Sequence, residues 1–201
     1  MFKLMVVFTV VSIALSGFAF ADTATLSPTD DARVWQLFGS TNYGSTDNFT
    51  VGHMSGWFNT LIKFDLSPYA GATVISAKIA IWVYDEYGDF PTNDVHVTMN
   101  SADWDEGTVT WNNKPGFNGD IALTAPGSYG WWNVYVTSFV QVIVDGTEPD
   151  YGFQIYQGDT DEAAFYMHSK ENTINQPHMI LTYTPSAIES ASLGEIKAAF
   201  K

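Results

Sequence analysis

From Ala77 to Tyr84 the chain alternates without a break. Ala77, Ile79, Ile81 and Val83 fall on one side, and Lys78, Ala80, Trp82 and Tyr84 on the other. A period of two belongs to a pleated strand, whose successive side chains point to opposite faces. A helix would need apolar residues every three or four positions, so it is excluded here. The lysine marks the second face as the one toward water. Similar runs recur along the chain, separated by clusters of Gly, Asn, Asp and Pro that favour turns. We read strands over 23–27, 32–36, 48–52, 57–65, 73–84, 94–100, 108–111, 120–124, 131–136, 152–157, 163–168 and 178–183. This pattern predicts an all-β, single-domain β-sandwich or jelly roll of about 10–12 short antiparallel strands. No internal repeat is visible.

Two segments carry a helical pattern. Thr137 is placed to cap a turn through Phe139, Val140 and Ile143 that Asp145-Gly146 would stop. Past Pro185, Ser192-Leu193-Gly194-Glu195 has the spacing of a capping box, and Leu193, Ile196, Lys197 and Phe200 share one helical face. The expected division is therefore a leader over 1–21, a sandwich over 22–185, and a linker with a short amphipathic helical tail over 186–201. The tail is a candidate surface for a protein partner.

The leader follows from Lys3, the apolar run Leu4 to Leu15, and Ala19-Phe20-Ala21. A basic start, an apolar centre and small residues at −3 and −1 make a secretory signal peptide cleaved after Ala21. The run is short for a membrane-spanning helix. The expected location is thus secreted, extracellular or at the cell surface, with no membrane attachment after cleavage. The chain has no cysteine, so neither a lipoprotein anchor nor a disulfide is available and stability must come from the core. Net charge is −14, and removing Lys3 makes it one unit more negative. That field disfavours nucleic acid, anionic membranes and polyanionic sugars.

The segment Trp104-Asp105-Glu106-Gly107-Thr108-Val109-Thr110-Trp111-Asn112-Asn113-Lys114-Pro115 reads as loop, strand, loop, with tryptophans anchoring both ends. Its order resembles the DNRLRE-domain family of secreted proteins, β-sandwiches related to carbohydrate-binding modules. The resemblance continues through Asp31-Ala32, Asn42-Tyr43-Gly44, Val51-Gly52, Leu61-Ile62-Lys63-Phe64-Asp65-Leu66 and Ala77. It resumes at Val136-Thr137, Val140-Gln141, Gly146, Tyr151-Gly152-Phe153, Ser169-Lys170-Glu171 and Pro177 through Tyr183. Where the family often carries an arginine before its Leu-Leu-x-Phe-Asp strand, this chain has Asn59 and Thr60, so no role of that arginine transfers. The resemblance implies a non-catalytic module, with Trp104 and Trp111 as core anchors.

Nothing in the sequence carries a catalytic motif. His53, His96, His168 and His178 lie in no nucleophile or zinc-binding context. A glycosidase needs only two carboxylates, and composition alone leaves that open; with the resemblance, the expectation is no enzyme. No cofactor is expected beyond one structural calcium. Its weak candidates are Asp159 and Asp161, in a turn that could offer hard oxygen ligands. The clusters Asp103, Asp105, Glu106 and Asp85, Glu86, Asp89 are similar, and at each of the three the solvated acidic turn is the favoured reading.

Aromatic residues make up 15% of the chain, and strand parity sorts them. Parity puts Trp57, Trp82, Tyr84 and Tyr156 on polar-marked faces. Trp131 and Tyr135 face outward with Asn133, and Tyr166 faces outward too. Trp57 and Trp82 lie on strands flanking one connection and are expected to be neighbours. Exposed rings on a sheet suit the C–H faces of sugars. The expected function is a secreted, non-catalytic carbohydrate-binding module for an extracellular, neutral glycan, with Trp57, Trp82, Tyr84 and Tyr156 as its platform. The alternative is a structural or adhesive component of a cell-surface assembly, in which the same rings contact protein.

Overall fold

The computed structural model describes residues 20–88 and 94–186. Residues 1–19 of the expected leader, residues 187–201 of the expected linker and helical tail, and Asp89 fall outside the described residues. The described residues form eleven strands and one α-helix: β1 (Asp22–Leu26), β2 (Asp30–Trp35), β3 (Asn48–His53), β4 (Trp57–Lys63), β5 (Thr73–Tyr87), β6 (Val95–Asn100), β7 (Phe117–Leu123), β8 (Gly130–Tyr135), α1 (Thr137–Val144), β9 (Phe153–Gln157), β10 (Ala164–His168) and β11 (His178–Thr184).

All strand pairs are antiparallel, and the strands form one continuous sheet curled back on itself. One wall is β1-β11-β5-β8, in which β5 takes β11 along one edge and β8 along the other. The other wall is β2-β4-β9-β6-β7. β10 and β3 join the walls at one corner, because β10 pairs the end of β5 while β3 pairs the start of β4. This is the expected all-β sandwich, closed at one side by its own strands. At the corner Gly52 has φ +145°, and a side chain there would run into Ala163 and into Ala164, the first residue of β10. Glycine is required for that close approach.

The alternation seen in sequence builds the core. Ala77, Ile79, Ile81 and Val83 of β5 meet Val95 and Val97 of β6, Phe153 and Ile155 of β9, Phe165 and Met167 of β10, and Val134 of β8, all buried. Each of these side chains larger than alanine contributes about 1.5–3 kcal/mol by leaving water. α1 closes one end of the sandwich with Phe139, Val140 and Ile143. Thr137 is not its cap. Its hydroxyl accepts from the Ala77 N–H at 3.0 Å, which ties the helix start to β5. Gly146, at φ +71°, follows the helix as expected.

The strand expected over 108–111 is absent. Residues 101–116 form a loop of turns that covers the outer face of β2 and β4. Trp104 and Val109 pack there against Ala32, Val34 and Leu61, so β4 is buried on both faces. Side-chain bonds outcompete the strand: Asn113 Oδ1 accepts from the N–H and hydroxyl of Thr110, at 2.6 and 2.9 Å. Val109 N–H also donates to Asp105 O at 2.9 Å. Trp104 is a buried anchor whose Nε1–H donates to Tyr151 O at 2.9 Å. Trp111 is only half-buried, packed beside the cluster with the Lys114 ammonium 4.9 Å from its ring centroid.

Candidate functional site

The outer face of β8, β5 and β11 gathers aromatic and neutral polar groups, with Lys78 at one end of the β5 row. Pairing sets Trp131 opposite Trp82 and Asn133 opposite Ala80 on one edge of β5, with His178 opposite Ala80 on the other. The Trp131 ring lies 5.5 Å from Trp82 and 5.0 Å from His178, at 80° and 72° to them. His178 is two strands away, so Trp131 leans over β5 above Ala80. Ala80 faces outward by register yet is only 4% exposed, whereas Trp131 is 44% exposed. The small residue makes room, and the large ring lies over it open to solvent.

Two shallow grooves meet at Trp131. One, of about 320 Å³, runs beside β8 between Thr124, Ser128, Asn133 and Tyr135. The other, of about 440 Å³, lies toward β1 among Thr25, Ser27, Asn175, Gln176 and His178. No Asp, Glu, Lys or Arg lines either groove. Hydroxyls and amides beside an exposed indole suit a polyhydroxylated ligand, each able to donate and accept.

Of the four residues expected to form a platform, the structure brings two together. Trp82 and Tyr84 share the outer face of β5. Tyr84 leads away from Trp131 toward β10, with Tyr166 at 6.5 Å and His168 at 5.0 Å. Burial raises the phenol pKa of both Tyr84 and Tyr166. Beyond them Arg33 Nη1 donates to Asn48 Oδ1 at 2.8 Å and to Thr50 Oγ1 at 3.3 Å, with Tyr43 beneath the guanidinium at 4.7 Å. Burial lowers the arginine's pKa, and among the described residues it has no carboxylate in ion-pair reach.

Trp57 and Trp82 are not neighbours, because β3 and β10 stand between β4 and β5. Trp57 sits at the corner against His53, with ring centroids 4.7 Å apart. Tyr156 is on the opposite wall, and both its ring faces are covered. Phe117 stacks at 4.4 Å on one side and His96 at 5.2 Å on the other. Its hydroxyl donates to Asp120 Oδ1 at 2.9 Å, and burial with that carboxylate pushes its pKa up to about 12. His96 is itself held between Asp94 and Asp120, at 2.8 and 2.9 Å.

The acidic turn at Asp159 is tied up internally. Its carboxylate accepts from the Asp94 N–H, from Gln157 Nε2 and from the Asp161 N–H, at 2.9, 2.6 and 3.2 Å. Burial works against ionisation there, but these bonds hold the pKa below the usual carboxylate value. The carboxylates that do converge, among the described residues, are Asp31, Glu106 and Glu171. A cation is already among them: Lys170 Nζ lies 2.8 Å from Glu106 and 2.6 Å from Glu171, while its N–H donates to Asp31 Oδ2 at 2.8 Å. Burial, reinforced by Glu171, pushes Asp31 up to about 8, against the bond from the Lys170 N–H.

Sequence parity turned Trp131 and Tyr135 outward but gave no means of joining them to His178, 47 residues downstream of Trp131 by number. The Ala80 gap in the Lys-Ala-Trp-Tyr face was the one available signal. The carbohydrate-binding module family 96 model matches residues 22–183, the sandwich from first strand to last. The chain belongs to carbohydrate-binding module family 96.

This family 96 module is also similar to parts of much larger proteins. It is 24% identical over 177 residues to the tRNA nuclease WapA of Bacillus subtilis and to the tRNA3(Ser)-specific nuclease WapA of Bacillus spizizenii, covering 81% of this chain and 8% of each relative. It is 24% identical over 176 residues to gellan lyase of a Bacillus species, covering 84% of this chain and 7% of that protein. The chain thus spans less than a tenth of the length of these relatives. Among the described residues no helix is long and apolar enough to cross a membrane.

Proposed function

We propose that this family 96 module is an exported, non-catalytic domain that binds a neutral glycan on the face centred on Trp131. The observation carrying this reading is the pair of grooves meeting at an exposed indole, lined by hydroxyls and amides and by no carboxylate, lysine or arginine. A sugar ring stacks its C–H face on Trp131, with Trp82, Tyr135 and His178 around it and Asn133, Ser128, Asn175 and Gln176 reaching for hydroxyls. The strongly acidic chain repels polyanions, in keeping with a neutral ligand. Family membership supports carbohydrate as the ligand class, and one relative is named for acting on gellan. A module of this kind holds an attached activity, or a surface, against a polysaccharide.

A glycan array with neutral and uronic-acid polymers, followed by calorimetric titration of wild type and Trp131→Ala, tests the reading. Binding of neutral glycans, lost in Trp131→Ala without unfolding, supports it. Preference for uronic acids, lost in Arg33→Ala and kept in Trp131→Ala, would move the site to the Tyr84–Arg33 cluster. Self-association without glycan binding would make it an adhesive component instead, and turnover of the polymer would overturn the non-catalytic assignment.

A further inference from the structure

We infer that the Trp131 face takes an internal stretch of a linear glycan laid across the strands, from the β8 side to the β1 side, and not a chain end. The inference rests on the glycan-binding reading above and adds which part of the polymer is held. The two grooves lie on opposite sides of one ring and share it as a wall. One begins beyond β8, the edge strand of this wall, at Thr124 and Ser128; the other ends at Thr25 and Ser27, next to β1, the opposite edge strand. The line between them crosses β8, β5, β11 and β1, three strand spacings or about 14 Å, which is longer than one sugar ring.

A site for a chain terminus needs a blind end, with polar groups crowded around the last residue and a wall where the next would be. Here the amides and hydroxyls are divided instead. Asn133 and Ser128 stand on one side of the indole, and Asn175, Gln176 and Thr25 on the other, while the ring sits in the middle. The stacking surface is therefore central and the hydrogen bonding is distributed along the line. A sugar on Trp131 has a neighbour in each groove, and the polymer leaves the face at both edges.

The test titrates the full chain with cello-, manno- and xylo-oligosaccharide ladders of one to eight units. The same polymers are also tested with the reducing end reduced and the non-reducing end capped. The expected result is negligible affinity for the monosaccharide, a rise of at least tenfold between two and four units, a plateau beyond, and equal affinity for capped and uncapped polymer. Asn133→Ala and Gln176→Ala, one from each groove, should each weaken the tetramer several-fold while leaving the dimer almost unchanged. A monosaccharide that binds as tightly as the octamer, or a polymer that loses affinity on capping, overturns the internal-segment inference and leaves glycan binding standing. Absence of binding to every ladder and to the glycan array overturns the reading beneath it as well.

Discussion

Trp131 and His178 bring their ring centroids within 5.0 Å although a whole strand separates theirs, because the residue between them is Ala80. Ala80 is only 4% exposed although its register turns it outward, so its methyl group lies covered between the two neighbouring strands' rings. On the proposed glycan-binding face, room for the exposed ring thus comes from the smallest side chain in the row Lys78, Ala80, Trp82 and Tyr84.

Ala80→Leu should raise the Trp131 ring from the sheet. Glycan affinity is expected to fall about as far as in Trp131→Ala, by roughly 1–3 kcal/mol for a stacked aromatic. Overpacking should also lower stability by about 1–3 kcal/mol. Calorimetric titration and urea unfolding on the same samples check both. Unchanged affinity in Ala80→Leu would show that the ring's placement is irrelevant to binding.

The two tryptophans of the 101–116 loop should separate in mutagenesis. Trp104→Ala empties the second hydrophobic cluster and removes the donor to Tyr151, so a loss of about 3–5 kcal/mol is expected. Trp111→Ala removes a half-exposed ring and should cost about 1 kcal/mol. Equal losses in chemical denaturation would mean that the loop is held from both ends alike.

Asp31 should make the domain less stable as pH rises. Its folded pKa, about 8, lies above the ordinary 3.8, so the folded state keeps a proton that the unfolded state has released. The stability linked to that proton is complete below about pH 4 and is lost as pH climbs to about 8. Asp31→Asn retains an oxygen for the Lys170 N–H and places an amide beside Glu171. Urea midpoints from pH 5 to 8 should fall less in this variant than in wild type, with the variant the more stable at pH 8. Parallel curves would remove Asp31 as the source.

Tyr156→Phe deletes the bond to Asp120 and leaves the ring stack intact. Stability should drop by about 1 kcal/mol. Glycan affinity should stay at the wild-type value, because neither face of that ring is free. A loss of affinity with a normal unfolding midpoint would put a binding surface on the β9-β6-β7 wall.

The strands were legible because each announces itself locally. The Ala77–Tyr84 alternation sets the inward face of β5, and the same logic recovers all eleven described strands but expects one that does not form. That exception, 108–111, shows the limit of the method. Val109-Thr110-Trp111 has strand propensity, yet Asn113 and Asp105 offer its backbone nearer partners, and burial against β2 and β4 fixes it as a loop. The site was legible only in pieces. Trp82 and Tyr84 could be turned outward from their own strand, but Trp131, Ala80 and His178 meet through the pairing of three strands far apart in sequence. The Asp31–Glu106–Glu171 cluster has the same character, assembled from a strand and two loops that no spacing rule connects.

Asp22 pairs with Tyr183, so the first and last strands of the family 96 segment lie side by side. A polypeptide that joins the domain at one of these residues departs from the other only about 5 Å away. The domain is thereby a loop-out bead: a host chain can carry it as an insertion without redirecting its own path, and can carry several in series. A chain carrying the domain in that way would be joined to it through one narrow neck, at the paired ends of β1 and β11.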